Sequence, residues 1–123
     1  MKKRFVLFCS ILAILAALVT SPFIFAKDPY EIAVIVKATE SDYWQVVMNG
    51  AKAAAKKLGN RVEISYHGPA SDLDMERQVS ITENVIARRP DAIIVASATD
   101  GIIAPIERAY AMGIKVIILD TAV

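Results

Sequence analysis

Two aromatic rings and a carboxylate are the groups in this sequence best suited to handling a ligand. Tyr43-Trp44 follow Ser41-Asp42 where the pattern sets the first turn of a helix, and Asp120 comes directly after an apolar run. Ring faces beside a carboxylate suit a molecule with flat C–H faces and neighbouring hydroxyls. The rings take the apolar face, and the two carboxylate oxygens accept from adjacent O–H groups. Uncharged polyols fit this chemistry. A packing alternative stays open, since aromatics usually serve cores and a carboxylate after a strand is as readily a cap or turn residue.

Other reactive groups are sparse. His67, the single histidine, sits beside Gly68-Pro69 and reads as a loop side chain rather than a base; a nucleophilic triad has nothing to build on. Cys9, the single cysteine, falls inside an apolar leader, so the rest of the chain has no thiol chemistry. Asp72, Asp74 and Glu76 lack the spacing of a calcium loop and suit the start of a helix. Neither G-x-x-x-x-G-K-[ST] nor G-x-G-x-x-G occurs, so nucleotide binding by those routes has no support. The expectation is a chain without metal, cofactor or catalysis.

The elements that must position these groups alternate between short β-branched runs and longer helical stretches, the pattern of a parallel sheet with crossover helices. Strands are predicted at Ile32–Val36, Val62–Tyr66, Ala92–Ala96 and Val116–Leu119. All are nearly continuous in apolar character except Val62–Tyr66, which alternates and reads as an edge. A first helix is predicted over about Asp42 to Leu58, with Ser41 as cap, Val47, Ala51, Ala54 and Leu58 at helical spacing, and Gly59 as its stop. Gly50 and the alanines suggest close packing on the sheet. A second helix runs from near Asp74 to Arg88 with Met75, Val79, Thr82 and Ile86 inward and Pro90 beyond its end. A third runs from about Ile103 to Met112 with Ile103, Ile106 and Tyr110 inward and Gly113 after it. Right-handed crossovers of these lengths give a flavodoxin-like sheet of order 2-1-3-4, in which ligands lie outside the carboxyl ends of the strands. That rule selects Lys37 to Trp44, His67 to Asp74, Ser97 to Gly101 and Asp120 to Val123.

Of 123 residues, the first 26 read as an export signal and leave 97, room for one domain. Lys2, Lys3 and Arg4 precede an apolar run from Phe5 to Val19, and Thr20-Ser21-Pro22 interrupt it before Ile24-Phe25-Ala26. An uncleaved anchor is the alternative, because Phe5 to Ala26 is almost long enough to span a bilayer. The chain is 55% apolar and 22% charged, which excludes disorder. Removing the three leading basic residues leaves 11 basic against 13 acidic, a net −2, so no basic patch argues for nucleic acid.

Taken together, Tyr43-Trp44, Gly50-Ala51 with Ala54-Ala55 and Leu58-Gly59, Gly68-Pro69 followed by Asp74 and Gln78, Pro90 to Val95, and Gly113 to Val116 running into Asp120 form an ordered set. With it the chain resembles the ribose-type periplasmic sugar-binding proteins of ABC transporters, or type 1 periplasmic binding proteins, over nearly all of Tyr30 to Val123. The resemblance implies that Tyr43 and Trp44 stack on a sugar, that Asp120 is the main acceptor of its hydroxyls, and that Ser41 is a polar contact. It also places Lys37, Thr99 and Asp100 on the same rim. Thr121 stands where ribose binders commonly have arginine, Ser41 where some relatives have asparagine, and Asp42 where many have proline. Family members are two to three times as long, so residues 27–123 are expected to form an incomplete N-terminal lobe whose half-cleft binds far more weakly than the family. The implied partners are a sugar and a membrane permease, the implied state a monomer, and the implied location periplasmic or extracellular. An extracellular sensor of a membrane-anchored receptor or histidine kinase is the alternative function. A small flavodoxin-like enzyme lacks a phosphate loop, and a gene regulator would need a DNA-binding headpiece.

Overall fold

β-Branched residues crowd the four apolar runs, and each becomes a parallel strand. A computed structural model describes residues 28–120 of the chain; the leader reading at residues 1–26 lies outside them. Strands β1 (Tyr30–Ile35), β2 (Val62–His67), β3 (Ala92–Val95) and β4 (Lys115–Ile118) form one sheet of order β2-β1-β3-β4. Helices α1 (Asp42–Leu58), α2 (Met75–Ala87) and α3 (Ile103–Ala111) make the crossovers. The expected fold class and strand order are those observed. β1 starts two residues earlier than the apolar run because Tyr30 and Glu31 pair in register with Val62 and Glu63.

Alternation along β1 and β3 divides the core in two. Ala33, Ile35, Ile93 and Val95 face α2 and α3, where they meet Val85, Ile86, Ile102, Ile106, Ala109 and Ile114. Val34, Val36 and Ala96 face α1 and pack with Ala38 and Trp44, supported by Val47, Met48, Ala51 and Leu119. β2 is an edge, as its alternation predicts, with no fully buried residue. β4 is the other edge, and Ile117, on the α1 side, is 56% exposed because α1 lies over β1 and β2.

Three helix faces differ from the spacing argument. Trp44, Val47, Met48 and Ala51 form the inner stripe of α1, while Leu58 is exposed, so the stripe starts a turn earlier than expected. In α2 the buried positions are Gln78, Thr82, Val85 and Ile86, and Met75 is exposed. α3 buries Pro105, Ile106 and Ala109, and Ile102 of the preceding 3-10 turn at Asp100–Ile102 joins them; Ile106 is inward as expected, whereas Ile103 and Tyr110 face out. Gly59 and Gly113 end α1 and α3 at φ of 64° and 83°, a conformation open to glycine and strained for most residues. Asp74 caps α2 by accepting from the Arg77 N–H at 3.2 Å, whereas Ser41 makes no side-chain cap bond on α1.

The close approach inferred at Gly50 is located instead at Gly68. A Cβ at Gly50 would meet nothing within 4 Å, but one at Gly68 would stand 2.8 Å from the Val36 carbonyl oxygen. Gly68→Ala should therefore destabilise the fold by about 1–3 kcal/mol through overpacking. Gly50→Ala should stabilise it by about 0.5–1 kcal/mol by removing a flexible residue from a helix interior. Urea midpoints that move in the same direction for both variants would refute this placement.

Candidate functional site

At the carboxyl ends of the strands the chain gathers its polar loops. Lys37 follows β1 and Asp120 follows β4, and the Lys37 Nζ lies 2.7 Å from Asp120 Oδ2, closing a charge-assisted hydrogen bond across 83 residues of sequence. Asp120 holds this position with φ of 70°, a left-handed conformation that aspartate tolerates better than most side chains. The same lysine Nζ lies over the Trp44 ring, 5.8 Å from its centroid, within reach of a cation–π attraction. Lys37, Asp120 and the aromatic pair are thus brought together, as the loop argument anticipates.

The two rings take different parts. Tyr43 is 60% exposed, and its ring meets the Trp44 ring edge to face at 4.8 Å. Trp44 is only 6% exposed and belongs to the core between α1 and the sheet. An open stacking face on both rings is therefore corrected for Trp44, which faces the strands because it begins the inner stripe of α1. Ser41 stands just ahead of α1, and its carbonyl accepts from the Gln45 N–H at 2.9 Å.

Neighbouring loops brace the rim. Thr39 donates its N–H and its hydroxyl to the Pro69 carbonyl at 2.8 and 3.1 Å, joining the loops after β1 and β2. In the loop after β3, the Ser97 hydroxyl donates to the Thr99 carbonyl at 2.5 Å and accepts from the Thr99 N–H at 3.1 Å. The Thr99 hydroxyl accepts from Gly101 at 3.2 Å and so caps the turn that Asp100 opens. Thr99 and Asp100 sit in this neighbouring loop, while Thr121 lies outside the described residues. Gln78, the side chain that reaches between the β1 and β3 loops, was missed as a contributor to the site. Its signal was available: one amide on an otherwise apolar stripe with Thr82, Val85 and Ile86.

His67 ends β2 instead of lying in a loop. Its Nε2 is 3.0 Å from Arg88 Nη2 and 2.9 Å from Ser65 Oγ. A guanidinium only donates, so Nε2 carries the lone pair and Nδ1 the proton. Burial first, and the Arg88 charge second, hold the imidazole below its ordinary value of 6.5. This is an arrangement that keeps a structural histidine neutral.

A family model described as a periplasmic binding protein domain matches residues 32–123. A D-ribose/D-allose-binding protein of Pseudomonas aeruginosa is 29% identical over 90 residues, covering 72% of this chain and 28% of that protein. Among solved structures, a carbohydrate transporter solute binding protein of Agrobacterium radiobacter in complex with D-arabinose is 34% identical with a TM-score of 0.70. The match covers 77% of this chain and 32% of that one. An ABC transporter solute binding protein of Agrobacterium vitis with bound D-fucose is 35% identical with a TM-score of 0.71, covering 76% and 32%. The chain spans about a third or less of the length of each of these relatives.

Two outcomes follow from the geometry. Trp44→Ala should cost about 3–5 kcal/mol of folding stability, the range for deleting a buried aromatic; a loss below about 1 kcal/mol would return the indole to the surface. His67 has its folded value lowered, so the unfolded chain takes up a proton that the folded chain resists. Stability should then fall as pH drops from about 7 to 5, and His67→Gln should flatten that dependence in urea titrations. An equal pH dependence in wild type and variant would show that the imidazole does not carry it.

Proposed function

Since the chain belongs to the periplasmic binding protein domain family, we propose that residues 27–123 form one wall of a binding site for a monosaccharide or similar polyol. On this reading they are the N-terminal lobe of the solute receptor of an ABC importer. Residues 1–26 direct export, and the receptor passes its sugar to a membrane permease without catalysing a reaction. The sugars named for the relatives support the substrate class.

The observation that carries the reading is the Lys37–Asp120 pair at the carboxyl ends of the strands, 2.7 Å apart; Tyr43, 60% exposed on the first turn of α1, adds an open ring. A hydroxyl both donates and accepts, and this pair offers an acceptor and a donor side by side without net charge. Tyr43 then takes the C–H face of the sugar, and Asp120 and Lys37 take its hydroxyls. Trp44 serves as the floor beneath Lys37 rather than as a second open face. Ser41, Thr99, Asp100 and Thr121 are the further polar contacts on the rim.

The test is an NMR titration of the protein with D-ribose, D-allose, D-arabinose and D-fucose. Shifts should concentrate at Tyr43, Lys37 and Asp120. Asp120→Ala should weaken binding by about 1.5–3 kcal/mol, the scale for a hydrogen bond to a charged group, and Tyr43→Ala by about 0.5–1.5 kcal/mol. Sugar-dependent shifts that bypass these three residues would remove the assignment.

A further inference from the structure

Gln78 reaches from the core to two of the rim loops. It is fully buried on α2, at 0% exposure. Its Nε2 donates to the Val36 carbonyl at 3.1 Å and to the Ala96 carbonyl at 2.8 Å, and its Oε1 accepts from the Ala98 N–H at 2.9 Å. The β1–β3 ladder extends as far as the Ala96 N–H, which donates to Ile35. The amide therefore takes over at the first carbonyls beyond that bond. Both N–H groups and the oxygen are engaged, and the orientation is unambiguous, since a flipped amide would set its oxygen against two carbonyl oxygens.

We infer that Gln78 is a positioning residue for the ligand rim. Val36 precedes Lys37, and Ala98 precedes Thr99 and Asp100, so a single amide fixes the exits of both central strands. Thr82, one turn along α2, donates its hydroxyl to the Gln78 main-chain carbonyl at 2.8 Å, a bond to the helix backbone and not to the Gln78 amide. Glutamate is a poor substitute: ionised it has no proton for either carbonyl, and protonated it has one proton for two. Methionine would fill a similar volume and leave two carbonyls and one N–H buried without partners. The ligand meaning of this role rests on the function proposed above, but the role itself can be read without any sugar.

The experiment compares Gln78→Met with Thr82→Val by amide hydrogen exchange on the full chain. Exchange at Ala98 is measured against Ile93, whose position in the sheet core reports global opening. In Gln78→Met the Ala98-to-Ile93 rate ratio should rise by about tenfold or more, and the side-chain resonances of Lys37 and Asp120 should shift. Thr82→Val should leave that ratio within about twofold of wild type. If Gln78→Met does not fold, Gln78→Asn, which retracts the amide by one methylene, should raise the ratio to a smaller extent. An unchanged ratio in the folded Gln78 variant, or an equal rise in Thr82→Val, would overturn the inference. A rim that loosens as expected in a protein that binds no sugar would sustain the positioning role while removing the proposed function.

Discussion

Because β1 and β3 are covered on both faces, a polar side chain placed along them would be stranded, and their chemistry is confined to the ends. Ala33 to Val36 are at most 2% exposed, and Ile93, Val95 and Ala96 are at 0%. Burying polar groups without partners costs far more than a small domain can spare. The loops beyond the strands and the helix turn that follows them must therefore carry the groups able to meet a ligand. Parallel connections bring all four carboxyl ends to one side of the sheet, so a lysine at 37 and an aspartate at 120 meet at 2.7 Å.

That same burial creates a problem at the strand exits, where backbone carbonyls leave the ladder before they reach water. Val36 and Ala96 are themselves buried, and their carbonyls need donors from elsewhere. Gln78 supplies both from a helix, while Thr39 and the Pro69 carbonyl tie the next stretch of the β1 loop to the loop after β2. Gly68 permits this closeness, because any Cβ there would press on the Val36 carbonyl. The rim is consequently an extension of the hydrogen-bonded core, which separates it from a loose surface loop.

The sheet order and the span of α1 were legible because they follow from apolar runs, caps and crossover lengths, all of which are local or nearly so. Helix facing was less legible. The spacings of Met75, Val79, Thr82 and Ile86 and of Ile103, Ile106 and Tyr110 are valid helical stripes, but the phase is set by where a helix lands on the sheet. In α3, Ile106 is inward as the spacing gives it, but Pro105 and Ala109 join it in place of Ile103 and Tyr110. Gly50 and Gly68 show the same limit, since a glycine in sequence does not say what stands opposite it. The site divides likewise: its loops could be selected by topology alone, yet Trp44 had to be seen against Val34, Val36 and Ala96 to be recognised as core. Gln78 stood in the sequence as an amide on α2, but which carbonyls it would reach was not legible, since they and the Ala98 N–H lie 18, 20 and 42 residues away.

The burial of Trp44 strengthens the case for a defined rim. A fully exposed indole could adopt several rotamers, and Lys37, a long flexible chain, would have little to organise it. With the indole fixed in the core, Lys37 sits over a rigid ring at 5.8 Å and reaches Asp120 from there. Asp120 in turn occupies a left-handed conformation, which surrounding contacts must hold in place. A partly exposed ion pair contributes little to stability, on the order of 0–1 kcal/mol, so folding stability gives little reason for this arrangement. Placing a donor and an acceptor at a fixed separation gives a stronger one, since a ligand then meets groups whose ordering entropy is already met by the fold.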